Sequence, residues 1–342
     1  MELAIFKGTR HEVGRQIGER YRENIAEWVQ TEGAWNLPGL SPKRVVRECD
    51  RIFDLLSTIA PELCTELDGI AEGSGLPLED VLCYNFHNAL THLPREACTN
   101  LIFRDSDHGP LLIKNHDATL DAKPFYHLQR LDYEGGPTLL CVSYGGTVWG
   151  QGLSSTGVAT GGSSVHPKDT GGYRLGLPDS IVGRLLLEYA SSVAEAVELF
   201  EELPYQGKGC NYAIVDAGGD GAVLEASRER KAVLRMEDDE LLCTNYYASG
   251  QIHHAPEAQY LGNAHGRASL LWRYLAQDPS RTLERARQIM SSHDGSVSLC
   301  RHCEVDSAAN DTLMSHIALP AEGRMIFADT WPCQAEWADY SL

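Results

Sequence analysis

No stretch of this 342-residue chain approaches the roughly 18 consecutive apolar residues that a membrane-crossing helix needs. Positive charge is scarce as well. The 29 Lys and Arg face 48 Asp and Glu, and the resulting net charge of −19 disfavours nucleic acid and anionic membranes as partners. The opening Met1-Glu2-Leu3-Ala4-Ile5-Phe6-Lys7 has no basic region leading into an apolar core, so no secretory signal is expected and a cytoplasmic address is the default. Dinucleotide and P-loop fingerprints are absent. The paired glycines Gly145-Gly146, Gly161-Gly162 and Gly171-Gly172 are instead expected at tight turns or where backbone closely approaches a substrate. With no internal repeat, low-complexity tract or clear linker, the chain reads as a single domain over 1–342.

What the chain has in plenty is cysteine, ten in all, scattered rather than set in a compact framework, which suits a reducing compartment. An unpaired cysteine is ordinarily a small buried hydrophobe, so only local context singles one out. Cys98 has that context. Leu101 to Arg104 and Leu111 to Lys114 are short apolar runs joined by the polar segment Asp105 to Pro110, which reads as a β-hairpin beginning just after Cys98. Antiparallel pairing returns the end of the second strand to the start of the first. Lys114 and Asp117 are therefore expected beside Cys98.

The segment before Cys98 reads mainly helical. Val13, Ile17, Tyr21, Ile25 and Trp28 mark one face, and Val46, Ile52, Phe53, Leu56 and Ile59 mark a helix that should stop before Pro61. Strands follow it, among them Tyr212 to Asp216, Ala222 to Glu225, Ala232 to Met236, Leu241 to Thr244, Met314 to Leu319 and Arg324 to Ala328. Helical spacing returns from Ile181 to Phe200, Ala268 to Leu275 and Thr282 to Met290. This pattern indicates an α+β domain.

Several strings resemble the N-terminal-nucleophile (Ntn) amide hydrolases, specifically the acyl-coenzyme A:6-aminopenicillanic acid acyltransferase family and, more distantly, the choloylglycine (bile-salt) hydrolases. In order these are Cys98-Thr99, Asn115-His116-Asp117, Gly157-Val158-Ala159, Asn211 to Asp216 with Glu225, Cys243-Thr244-Asn245-Tyr246, Ser298 to His302, and Trp331-Pro332-Cys333. Their order over nearly the whole chain is more specific than any one of them.

The resemblance implies an αββα sandwich with two stacked antiparallel sheets, and a chain that cuts itself at Ala97-Cys98. Residues 1–97 would then form a helical α chain that stays associated with a β chain, residues 98–342. The α-amine freed on Cys98 would serve as base. Its ordinary pKa of about 7.7–8.0 suits proton transfer near neutrality better than a lysine amine at about 10.4.

By the same resemblance Asp117 holds that amine, and Asn245 donates its side-chain amide to the oxyanion. Lys114 stands where bile-salt hydrolases keep an arginine and is a candidate for lowering the thiol pKa. Arg301 aligns with an arginine near the nucleophile and would hold Asp117 or a substrate carboxylate. Where relatives commonly supply an Asn after Gly157-Val158-Ala159, this chain has Ser163 and Ser164, which together with Tyr144 are the candidate substrate contacts.

Cys300-Arg301-His302-Cys303 contains one CxxC with an adjacent His, and His293 and His316 are near in sequence. Zinc sites commonly draw four ligands from two paired knuckles, so no metal is assigned, nor any cofactor. His108 and His253-His254 read as surface histidines. The expected activity is hydrolysis of a small-molecule N-acyl amide through a Cys98 thioester. The alternatives are acyl transfer to an amine, with acyl-coenzyme A as a candidate donor, and a non-catalytic binding protein that never matures. Homo-oligomerisation is left open.

Overall fold

The computed structural model describes residues 1–31, 40–90, 98–168, 173–254, 260–294, 297–302 and 310–342. Two sheets stack face to face. The larger runs β1 (Leu3–Gly8), β4 (Tyr126–Tyr133), β5 (Thr138–Tyr144), β6 (Gln151–Ser154), β7 (Val158–Ser164), β8 (Cys210–Asp216), β9 (Gly221–Ala226) and β10 (Lys231–Arg235). The smaller runs β11 (Glu240–Cys243), β2 (Thr99–Phe103), β3 (Leu111–Ala118), β14 (Asp311–Leu319), β15 (Arg324–Ala328) and β16 (Trp337–Ser341). A short ribbon of β12 (His293–Asp294) and β13 (Val297–Ser298) lies apart from both.

Strand periodicity explains the stacking. In β2 and β3, Ile102 and Leu112 face Leu153, Ala159, Ala213 and Val215 of the larger sheet, whereas Leu101, Phe103, Leu111 and Ile113 face helices. Farther along, Met314 and Phe327 meet Tyr126, Leu128, Leu140 and Val142 to extend the same inter-sheet core.

Helices cover both outer faces. Over the smaller sheet lie α8 (Tyr260–Gln277) and α9 (Leu283–Met290), which bury Leu271, Leu275, Ile289 and Met290 against it. The larger sheet carries α1 (Arg10–Arg20), α2 (Arg22–Thr31), α3 (Pro42–Ile59), α4 (Pro61–Ser74), α5 (Leu78–Phe86), α6 (Asp179–Tyr189) and α7 (Val193–Glu202). The order is helix, sheet, sheet, helix, as the αββα expectation required.

Two devices fasten the helical layer that precedes Cys98. First, α1 and α4 meet backbone to backbone: a Cβ added at Gly14 would lie 2.1 Å from the Glu66 carbonyl oxygen, and one at Gly73 only 1.9 Å from that of Arg15. Second, a buried ionic cluster ties α1, α4 and α6 to β4. Arg184 donates to Glu188 at 2.8 Å, to Glu66 at 3.2 Å and to the Tyr133 hydroxyl at 2.6 Å, while Arg10 pairs with Glu66 and Glu188 and lies 3.7 Å over the Tyr133 ring. Each buried charge thereby meets an opposite one, the condition under which burial is tolerated.

The structure departs from sequence expectation in three places. The long apolar face from Val13 to Trp28 is split between α1 and α2 at Tyr21, although all five marker residues are buried. The run from Ile181 to Phe200 is likewise two helices, with Ser192 accepting from the Glu195 N–H to start the second. The third is β1, which pairs in parallel with β4, so the larger sheet is not wholly antiparallel and the segment before Cys98 contributes a strand.

Adding one methyl group at Gly73 forces apart two helix backbones. Gly73→Ala is expected to lower unfolding stability by about 1–3 kcal/mol, the usual range for overpacking. Nothing lies within 4 Å of a Cβ at Gly262 in α8, so Gly262→Ala should add about 0.5–1 kcal/mol. Urea denaturation of both variants checks the opposite signs.

Candidate active site

Cys98 lies directly ahead of β2 and is buried, with relative exposure of 3 %. The hairpin pairs as expected, with Thr99 opposite Asn115 and Asn100 opposite Lys114. One step further along this register sets Cys98 beside His116. Side chains then divide by parity: Asn100, Lys114 and His116 point between the sheets, and Thr99, Asn115 and Asp117 point toward the α8–α9 layer.

The backbone of Cys98 is gripped by Arg267, which sequence reasoning missed. This arginine of α8 is buried and donates to the Cys98 carbonyl oxygen at 2.7 Å, to Thr99 Oγ1 at 2.6 Å, to Asn245 Oδ1 at 2.6 Å and to Asn263 Oδ1 at 2.8 Å. Burial lowers its pKa to about 10 despite the favourable charge of Asp117, so it remains a cation at neutral pH. A readable signal was present. Ala264, Ala268, Leu271 and Leu275 form the apolar stripe of α8, and Arg267 falls within it.

Arg267 also determines what Asn245 offers. Because its guanidinium holds Oδ1, the amide nitrogen of Asn245 is turned the other way and donates to the Ser164 carbonyl at 2.8 Å. The loop bearing Asn245 is fixed on both sides by Asn211 of β8, whose amide donates to the Thr244 carbonyl at 3.0 Å and the Tyr246 carbonyl at 2.8 Å. Glu225 of β9 accepts from the Ala248 N–H at 2.5 Å, and Thr244 Oγ1 donates to the Ala264 carbonyl at 2.9 Å. Two of the strings read from the sequence, Asn211 to Asp216 with Glu225 and Cys243 to Tyr246, thus converge on one loop.

Ser163 and Ser164 end β7 across the inter-sheet space. Ser163 Oγ accepts from Asn100 Nδ2 at 2.8 Å and reaches the Cys98 carbonyl at 3.5 Å. An amide therefore does stand at this place, but it comes from β2. Gly161 makes room for it, since a Cβ there would lie 2.2 Å from Asn100 Oδ1.

Asp117 is buried, and Thr312 Oγ1 donates to its Oδ1 at 2.6 Å. Burial pushes its pKa up to about 6, against the opposing pull of Arg301 and Arg267. Its Oδ2 meets no donor among the described residues. Arg301 approaches without a direct ion pair: its backbone N–H donates to Thr312 Oγ1 at 2.8 Å, and its positive charge favours the ionised form of Asp117. Asn115 orders the same region by donating to the Met290 and Leu299 carbonyls at 2.9 and 2.8 Å.

Lys114 points between the sheets, on the face that the register gives to Cys98. Its ammonium bridges the sheets, donating to Gln151 Oε1 and to the Gly162 carbonyl at 2.6 Å. These partners are neutral oxygens, and its buried positive charge also favours the ionised form of Asp117. Tyr144 belongs to an aromatic cluster at that end, 5.5 Å from Phe125 and 4.9 Å from Tyr126, and Tyr126 in turn lies 6.1 Å from His116. Ala97 and Cys303 lie outside the described residues, as do Gly171 and Gly172.

The histidines redistribute. His316 leaves the expected neighbourhood of Cys300 and pairs instead with His116, ring nitrogen to ring nitrogen at 3.0 Å. The gathering of His293, Cys300 and His302 gains Cys333 as a fourth donor, with all four ligand atoms within 4.8 Å of one another. The assignment of no metal assumed that a second knuckle was needed. A distant single cysteine completes the set.

Two stacked sheets between helical layers, with a cysteine opening a buried strand of the smaller one, agree with the fold of the Ntn amide hydrolases and acyltransferases. The chain belongs to the acyl-coenzyme A:6-aminopenicillanic acid acyl-transferase family, whose model matches residues 88–328. Among solved structures it is similar to a mutant conjugated bile acid hydrolase from Clostridium perfringens, at 13% identity over 72% of this chain and 97% of that one, with a TM-score of 0.43. It is also similar to the penicillin V acylase from Agrobacterium tumefaciens, at 11% identity over 72% and 86% of the two chains, with a TM-score of 0.41. No curated protein sequence matches it.

The histidine pair has a measurable consequence. Burial, with the nearby Lys114, holds His116 well below the usual imidazole pKa and pulls His316 down to about 3. Unfolded, both would titrate near 6.5, so their contribution to stability is present above that pH and is lost as pH falls from about 6.5 toward 3. His316→Gln is expected to flatten the fall in unfolding free energy by up to about 1.4 kcal/mol per pH unit. Urea titrations between pH 7 and 5 measure it, and an unchanged slope contradicts a neutral buried His316.

Proposed function

We propose that the protein is a self-cleaving cysteine amide hydrolase that opens the linear C–N bond of a small N-acyl molecule. The observation that carries this reading is the hold of Arg267 on both the Cys98 carbonyl and Asn245 Oδ1. It supports the reading by joining Cys98 and the Asn245 side chain in one rigid frame, within a chain whose family is named for acyl transfer.

Maturation proceeds by attack of Cys98 Sγ on the Ala97 carbonyl. The peptide nitrogen leaves as the new α-amine, and water hydrolyses the resulting thioester. Residues 1–97 and 98–342 remain together as α and β chains. In turnover the α-amine takes the thiol proton, and the sulfur attacks the substrate carbonyl. The oxyanion accepts from Asn245 Nδ2, a contribution of about 10²–10³ in kcat when the donor is preorganised. The α-ammonium returns its proton to the departing amine, and water then releases the acid.

Asp117 is the group that holds the α-ammonium. Its unpartnered Oδ2 supports this role, because a buried carboxylate oxygen without a donor is costly and a freed amine would supply one. Arg267 acts as a positioning residue, and Arg301 adds positive charge beside Asp117. Ser163, Ser164 and Tyr144 line the approach from the inter-sheet side, with Lys114 bracing it. The second reading, acyl transfer from acyl-coenzyme A or an amide to an amine, is favoured by the family that the chain matches. Both readings pass through the same thioester and differ in the acceptor admitted.

Intact-mass measurement is expected to find two pieces meeting at Ala97 and Cys98 in the purified protein, and one uncut chain in Cys98→Ala, which should also lack turnover. A single intact chain in active wild-type protein contradicts the proposal. Asn245→Ala should retain cleavage while kcat falls by about 10²–10³. A screen of N-acyl amines and N-acyl amino acids, with acid and amine quantified separately, distinguishes the two readings. Acid formed without an added acceptor means hydrolysis; product that requires an acceptor or acyl-coenzyme A means transfer.

A further inference from the structure

The segment that brings Arg301 to the site carries Cys300 before it and His302 after it, and both side chains turn to a different task. Cys300 Sγ lies 3.5 Å from Cys333 Sγ and 3.5 Å from His302 Nε2, and Cys333 Sγ lies 3.4 Å from the same nitrogen. His293 completes the group, its ring 4.7 Å from that of His302 and nearly perpendicular at 88°. Trp331 stacks on His302 at 4.1 Å and fixes the plane of its ring.

The three separations among Cys300, His302 and Cys333 form one face of a small tetrahedron, and the His293 ligand atom lies within 4.8 Å of the other three. With Zn–S near 2.3 Å and Zn–N near 2.0–2.1 Å, tetrahedral geometry puts two sulfurs about 3.8 Å apart and sulfur and nitrogen about 3.6 Å apart. The three contacts among Cys300, His302 and Cys333 match within a few tenths of an ångström, and binding draws His293 in to complete the set. Two thiols and two imidazoles are also the donor set that selects zinc over calcium, magnesium or manganese.

We propose that His293, Cys300, His302 and Cys333 bind one zinc ion as a closed structural site. On binding, the two thiols lose their protons and coordinate as thiolates, and each imidazole coordinates through a neutral nitrogen. All four positions are filled by protein, so no coordinated water is left to react and the ion plays no part in acyl chemistry. Its effect is mechanical. It clips together the end of the β12–β13 ribbon, the Arg301 segment and the Trp331–Cys333 turn, and so fixes where Arg301 stands relative to Asp117.

The test does not depend on the reaction the enzyme performs. Reduced full-length protein, expressed with zinc and desalted, is expected to retain about one zinc per chain by elemental analysis. Cys333→Ser, a change at an exposed position, should lower that content by about tenfold or more. Wild-type protein reconstituted with cobalt(II) should show the thiolate-to-metal charge-transfer absorption of a tetrahedral two-sulfur site, a readout that requires no variant to fold. Metal-free wild-type protein, full retention of metal by Cys333→Ser, an octahedral cobalt spectrum without the charge-transfer band, or a Cys300–Cys333 disulfide in the reduced preparation would each overturn the proposal.

Discussion

The candidate site is organised around one buried guanidinium. Arg267 reaches from the outer helical layer through the face of the smaller sheet and satisfies four acceptors at once, two of them on Cys98 and Thr99 and one on Asn245. A buried cation is tolerated only where such acceptors are fixed in place, so the dependence is mutual. The helix holds the strand end, and the strand end and loop stabilise the charge in the helix. A planar fork with diverging donors is needed to reach backbone, hydroxyl and amide together, which a lysine ammonium does not provide.

Around that centre lies a supporting network of amides. Asn211 holds the loop of Asn245 from both sides, Asn115 holds the ends of α9 and of the β13 segment, and Asn100 links the two sheets through Ser163. In each case an asparagine inside a strand, ordinarily a poor strand former, satisfies backbone or hydroxyl groups of a neighbouring element that would otherwise be buried without partners. Local propensity gives way to the hydrogen-bonding needs of the tertiary structure.

The parts legible in sequence were those written in local pattern. Short apolar runs bounded by turn signals located β2, β3, β8, β9, β10, β11, β14 and β15, and the β2–β3 register followed from the hairpin. Residues whose role depends on distant partners were not legible. Arg267 looked like any helical arginine until its place in the apolar stripe of α8 was considered, and the pairing of His116 with His316 depends on β3 and β14 being neighbours across some two hundred residues. Strand β1 was hidden because its six residues, Leu3 to Gly8, alternate in burial only against β4, a partner more than a hundred positions away. Cys333 was overlooked among the donors for the same reason.

That strand has a thermodynamic consequence. Since β1 completes the larger sheet and α1 locks against α4 through glycine contacts, residues ahead of Cys98 are built into the same layers as residues behind it. The proposed break at Cys98 would leave those contacts in place but change the order of the folding equilibrium. An unfolded precursor returns to its native state by a unimolecular reaction, whereas the two pieces of a mature molecule must first find each other, so recovery from denaturation becomes concentration-dependent. The proposed cleavage would thus act as a ratchet, with the native assembly reached far more readily before the cut than after it.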